Sequence, residues 1–197
     1  MALTLVKEDG SGMGGANSYA DVADGDMYHE AHLYASAWTG ATEQRKEAAL
    51  MMATRLIDSQ FQFNGSRTNA SQALQWPRAE CPDPDKGLVR VSALVSIGSN
   101  FVPYNSVPAA VVQATCEMGR ELLVADRTAA PAGEGILSEH TSEYARDATG
   151  VSSSSSATTM YSKNDTRRII SHVAEAMLAK FGALVSGGSG EVRLMRV

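Results

Sequence analysis

Between two helical patterns the chain carries FNGSRTNASQALQWPR, Phe63 to Arg78, a turn-rich stretch that closes on an aromatic, a proline and an arginine. Gly65 supplies a positive φ that a side chain would resist. Pro77 biases Trp76 toward extended geometry and so fixes where the indole points. A tryptophan held in this way plugs a core or a subunit seam. Whatever this chain folds into must accommodate a structured, anchored loop whose residues are Gly65, Arg67, Gln72, Leu74, Trp76, Pro77 and Arg78.

The flanking patterns are helical. A first helix is expected from Asp21, a suitable N-cap with Asp24 at N3, to about Tyr34, with Ala23, Met27, Ala31 and Tyr34 on its apolar face. A second starts after Thr42 and carries Ala49, Met52, Ala53, Leu56 and Ile57 as a stripe up to about Phe61. A third opens with Pro108 at or near N1 and ends near Asp126. The last takes Asn164 as cap, buries Ile169, Ile170, Val173, Met177, Leu178 and Phe181, and stops at Gly182 as C′ residue.

Short strands are expected at Leu3 to Val6 and within Leu88 to Ile97. From Thr128 to Ser162 the composition shifts to Ala, Gly and Pro, then to alternation around Ile136 to Tyr144, then to a serine run, which reads as an extended hairpin or loop. The expected fold is therefore mainly α: a compact bundle of about four helices with an extended β-like loop or hairpin and flexible arms at both termini. Its parts are an arm over 1–17, a helical core over 18–127, the extended loop over 128–162, a core-completing helix over 163–183 and a tail over 184–197.

Charge limits the partners. Lys and Arg number 17 against 22 Asp and Glu, a net charge of −5, which is the wrong sign for a protein that lives by neutralising phosphates. No basic run exceeds two residues, as at Arg167-Arg168. Two cysteines without a framework point to a reducing origin. The first residues, MALTLVKEDGSG, do not read as a signal peptide, and no stretch approaches a membrane span.

Motifs for chemistry are sparse. Gly10 to Gly15 formally satisfies G-x-G-x-x-G, but two helices follow instead of a βαβ unit, so an arm hinge is preferred to a dinucleotide site. His29 and His32 stand at i, i+3 without a third ligand in sight, which favours surface or subunit-contact histidines over a metal site. Cys116 falls on the apolar side of a helix, where a thiol packs as a small hydrophobe. No enzyme, cofactor or metal is expected. Trp76 with Arg67 and Arg78 is the best candidate for a nucleic-acid contact, yet anchoring of the loop explains the same residues. Positive charge gathers late, at Arg167, Arg168, Lys180, Arg193 and Arg196. There Glu191, Val192, Arg193, Leu194, Met195, Arg196 and Val197 follow a Gly/Ser linker in the pattern of a docking arm.

Three blocks, in order, carry a resemblance. They are Asn17-Ser18-Tyr19 with Ala23, Asp26 and Tyr28; Lys46-Glu47-Ala48-Ala49-Leu50 with Ala53-Thr54 and Ile57-Asp58; and Gly65, Arg67, Gln72, Leu74 and Trp76-Pro77-Arg78. A weaker fourth block is Val107 to Val111 with Ala114-Thr115-Cys116-Glu117. Together they resemble the phage proteins often labelled DnaT-like single-stranded-DNA-binding proteins, over roughly residues 10 to 125.

That resemblance implies a head-to-tail adaptor in the virion neck. Such a protein forms a ring, dodecameric in tailed phages, beneath the portal protein, is assembled in the host cytoplasm, and offers a platform to the next neck or tail protein. Packaged double-stranded DNA passes through without specific binding. On this reading residues 191 to 197 dock on the portal, and Ile136, Leu137, Glu139, Tyr144 and Arg146 face a neighbouring subunit or the next neck protein. The alternative is the label itself, a single-stranded-DNA-binding replication accessory.

Overall fold

The computed structural model describes residues 4–86, 100–129, 138–146, 152–160 and 168–185. The last helix's expected cap, Asn164, the possible strand within 88–97, Ile136, Leu137 and the tail residues 191 to 197 lie outside them. The described chain forms two units, one from the residues up to Asp126 and from Ile170 onward, the other from Arg127 to Ile169.

In the first unit, α1 (Val22–Glu30) and the single-turn α2 (Ser36–Thr39) lead into the long α3 (Glu43–Gln60). Strand β1 (Phe61–Phe63) continues from α3 without a break, and β2 (Ser66–Arg67) pairs with β3 (Arg78–Ala79) across the anchor loop. Then come α4 (Ala109–Val124), α5 (His172–Leu178) and β6 (Gly182–Leu184), which pairs antiparallel with β1. The second unit holds β4 (Ser138–Arg146) and β5 (Ser152–Met160), an antiparallel hairpin.

The expectation of a mainly α, four-helix bundle is overturned. The described residues form five helices and three two-stranded sheets, a mixed α/β arrangement. The reason lies at the helix ends. Phe61-Gln-Phe63 alternates buried, exposed, buried, so the chain leaves α3 as a strand, and Gly182 takes its place opposite Phe63 in the β1–β6 ladder instead of capping a helix.

Helix α5 is also shorter than expected. It is capped by Ser171, whose hydroxyl accepts from the Ala174 amide. Ile169 and Ile170 precede it, and Val173 is exposed. The strand expected at Leu3 to Val6 is replaced, in the described part, by a single bridge between Lys7 and Ser18.

Helix α1 begins as predicted, with a capping box formed between Asp21 and Asp24, but it stops at Glu30 and turns the other way round. Met27 is 74 % and Tyr34 76 % exposed, while Gly25 and His29 face inward. Trp38 from α2 causes this. Its buried indole lies so close over Gly25 that a Cβ there would be 2.2 Å from Cζ2. Helix α3 keeps its predicted face, with Ala49, Ala53 and Ile57 buried against α4, whose Val111, Ala114 and Met118 complete the core.

Candidate functional site

The three sequence blocks meet in one place. Tyr19, on the segment before α1, donates its phenolic hydrogen to Asp58 of α3 at 2.5 Å and accepts from the Gln75 and Trp76 amides at 3.0 and 3.2 Å. The second Asp58 oxygen also accepts from the Gln75 amide, at 2.9 Å. The Tyr19 amide donates in turn to the Thr54 hydroxyl at 3.2 Å. One phenol and one carboxylate thus tie the amino-terminal segment, α3 and the anchor loop together.

Inside the loop each predicted residue has a structural task, Arg67 excepted. Gly65 takes φ +75°, and a Cβ there would sit 2.2 Å from the Ala79 carbonyl oxygen. Gln72 is buried; its Nε2 donates to the carbonyls of Leu74 and Pro77, and its Oε1 accepts from the Asn69 amide and the Thr68 hydroxyl. Trp76, followed by a cis peptide bond to Pro77, is fully buried, edge-on to Phe63 and Phe181 with ring centroids 5.6 and 5.9 Å away. Arg78 is buried, and its guanidinium donates to the carbonyls of Asn64, Gly65 and Gln75 and to the Gln75 side chain. Leu74 is buried and Arg67 is exposed. The stacking face of Trp76 and the fork of Arg78 are therefore engaged inside the fold, where they do not meet a nucleic acid.

Burial dominates the electrostatics here. It pushes the Asp58 carboxyl up to about 6, although the Tyr19 and Gln75 hydrogen bonds and the charges of Arg67 and Arg78 pull the other way. Burial and the neighbouring Asp58 charge push the Tyr19 phenol well above its ordinary value.

The glycine-rich stretch resolves differently from a phosphate cradle. The amides of Gly10, Gly12 and Met13 donate to the buried Glu8 carboxylate at 3.0, 2.8 and 2.9 Å. The chain's own anion occupies the position a phosphate would take. Beside it lies a hollow of about 520 Å³ lined in part by Lys7 and Glu8. Lys7 is held there by Asp21 and Asp24, so neither charge is left for a ligand.

His29 departs from the expected surface position. It is buried, its Nε2 hydrogen-bonds the Cys116 carbonyl at 3.2 Å, and its ring lies 5.0 Å from Trp38. Burial lowers its pKa. His32 approaches the buried Glu117 at 3.7 Å, and Arg120 pairs with the same carboxylate at 2.6 Å. Among the described residues no group of three or more His, Cys, Asp or Glu is placed to hold a metal ion. Burial pushes the Cys116 thiol up to about 12, which leaves it without thiolate character.

Of the hairpin residues singled out, Glu139, Tyr144 and Arg146 stand in β4, opposite Thr159, Ser154 and Ser152. Sequence reasoning missed Trp38, Glu8 and the Tyr19–Asp58 pair. Among the described residues no helix is long and apolar enough to cross a membrane.

What the geometry defines is a small mixed α/β protein with an internally clamped loop and a long hairpin. The model of a family described as "Putative DnaT-like ssDNA binding protein" matches residues 3–197, and the chain belongs to that family. No curated protein and no solved structure matches it.

Proposed function

We propose that this protein is a structural head-to-tail adaptor of a phage neck, forming a ring beneath the portal that extends the DNA channel and presents a platform to the next protein. The observation that carries the reading is the β4–β5 hairpin, nine paired residues a strand in a unit of its own. A two-stranded hairpin is marginal in water by itself, and the described side chains at its middle, Thr141 to Glu143 and Ser156 to Thr158, are exposed. A neighbouring subunit or neck protein supplies what such a ribbon needs. The buried roles of Trp76 and Arg78 support the same reading, because they remove the best nucleic-acid contacts from the surface. Charge supports it too: Lys7, Lys46, Lys86, Lys180 and Arg120 each stand beside a carboxylate, and an acidic chain lets DNA slide past.

The family's description favours a second reading, binding of single-stranded DNA. Light scattering and negative-stain imaging of the protein alone and mixed with its phage's portal separate the two. Rings stacked on the portal are the expected result, with a variant lacking 190–197 folded but unable to join it. A monomer that ignores the portal, and that an oligonucleotide column retains in a salt-dependent way, would reverse the preference.

A further inference from the structure

Three arginines have no task inside the fold. Lys7, Lys46, Lys86, Lys180 and Arg120 stand beside carboxylates, and Arg78 and Arg127 donate to backbone carbonyls. Arg45, Arg55 and Arg67 are exposed and, among the described residues, form neither a hydrogen bond nor an ion pair. Two of them share one side of α3. The helical repeat aligns Arg45, Ala48, Met52, Arg55 and Ser59, all exposed except the half-buried Met52. The carboxylates of α3 lie off this line. Glu43 and Glu47 stand about 80° or more round the helix from the nearer arginine, and Asp58 is held by Tyr19 and the Gln75 amide. Arg67 adds a third cation near the carboxy-terminal end of α3, where its charge bears on Asp58 without an ion pair.

We propose that this face, the outer side of α3 from Arg45 to Ser59 together with Arg67, meets the phosphodiester backbone of DNA without regard to sequence. Charge complementarity names the occupant. A guanidinium is always charged, and its fork of donors matches phosphate oxygens. Arg45 and Arg55 stand about 15 Å apart along the helix, whereas a DNA strand carries a charge every ~3.4 Å of its axis, so phosphates meet both arginines in any register. The small side chains of Ala48 and Ser59 leave the approach between them open. The line on α3 carries no aromatic residue, so it offers no platform for bases and contacts the backbone alone. An acidic protein partner would answer to the same charges, but this line lacks the buried aromatic anchor that such an interface is built around. Three contacts are few enough for salt to loosen them, which suits DNA that must slide. The inference deepens the adaptor reading, in which this face turns to the channel. Only that placement rests on the reading; the contact itself needs one subunit.

The test is fluorescence anisotropy of a labelled random-sequence duplex and of an oligothymidylate of equal length, titrated with the full chain from about 20 to about 150 mM salt. The wild type is expected to bind the duplex at least as tightly as the single strand. Its log–log salt slope should be about −2.7 for the duplex and about −2.1 for the single strand, three phosphates in each case. R45Q/R55Q/R67Q, with unchanged circular dichroism and Tm, is expected to bind about tenfold or more weakly with a slope near zero. R45K/R55K/R67K, which keeps the charges, should retain the slope, and K86Q/K180Q, which removes cations paired with Asp83 and Asp85, should leave it unchanged. A wild type that binds neither probe, a marked preference for the single strand, a glutamine variant that binds normally, or a K86Q/K180Q variant weakened as much would each overturn the proposal. Portal binding reports separately. Rings on the portal with no hold on DNA sink this surface alone, and DNA held by these arginines in a protein that ignores the portal sinks the adaptor reading alone.

Discussion

Tyr19 and Asp58, 39 positions apart, share a hydrogen bond of 2.5 Å, and the amide of Gln75 lies within bonding distance of both side chains. This contact joins all three blocks that mark the family resemblance. It gives them a structural meaning: these residues close a loop over the core.

The pair makes stability depend on pH. Asp58 titrates at about 6 in the fold against an ordinary value of 3.8, so the folded state holds this proton more tightly than the unfolded chain. Its stabilising contribution is full below about pH 4 and is lost as the pH rises to about 6. The loss is on the order of 1–3 kcal/mol. Asp58→Asn is expected to flatten this part of the profile, which thermal melts at half-unit intervals from pH 4 to 7 would show.

Removing the phenol hydroxyl isolates the other partner. In Tyr19→Phe the Trp76 amide loses its bond to the hydroxyl, and Asp58 loses a donor that stabilises its charged form. A cost of about 1–3 kcal/mol is expected in urea unfolding. The pH-dependent loss should move to higher pH, since the remaining carboxylate is less stabilised. A midpoint equal to that of the wild type at pH 7 would contradict the clamp.

Trp76 measures the anchor loop directly. Its ring is fully buried against Phe63 and Phe181. Trp76→Ala is expected to cost on the order of 3–5 kcal/mol. An unchanged Tm would show that the loop is not seated as described.

The long helix α3 was legible because one continuous stripe over 18 residues leaves a single way to bury it. The loop was legible through Gly65, Pro77 and the aromatic between them. The buried face of helix α1 was not, because its inward residues are a glycine and a histidine, and only the position of Trp38 reveals which face is covered. Nor was the β1–β6 ladder: Phe61 meets Leu184 across most of the chain, and such non-local pairing leaves no periodicity in a three-residue strand. Alternation marks extended chain around Tyr144, but the register that sets it opposite Ser154 comes from the fold.

The reversed face of α1 can be tested at its closest contact. Gly25→Ala would place a methyl group 2.2 Å from Trp38 Cζ2 and 2.6 Å from Cη2, so the indole must move or the helix must lift. Overpacking of this kind costs about 1–3 kcal/mol. Gly15→Ala is the control, since a Cβ there meets nothing within 4 Å and its φ lies outside the left-handed region. Urea midpoints of the two variants are expected to separate clearly, with Gly25→Ala the less stable and its tryptophan emission shifted. Equal midpoints would mean that α1 turns its other side, with Ala23 and Met27, to the core.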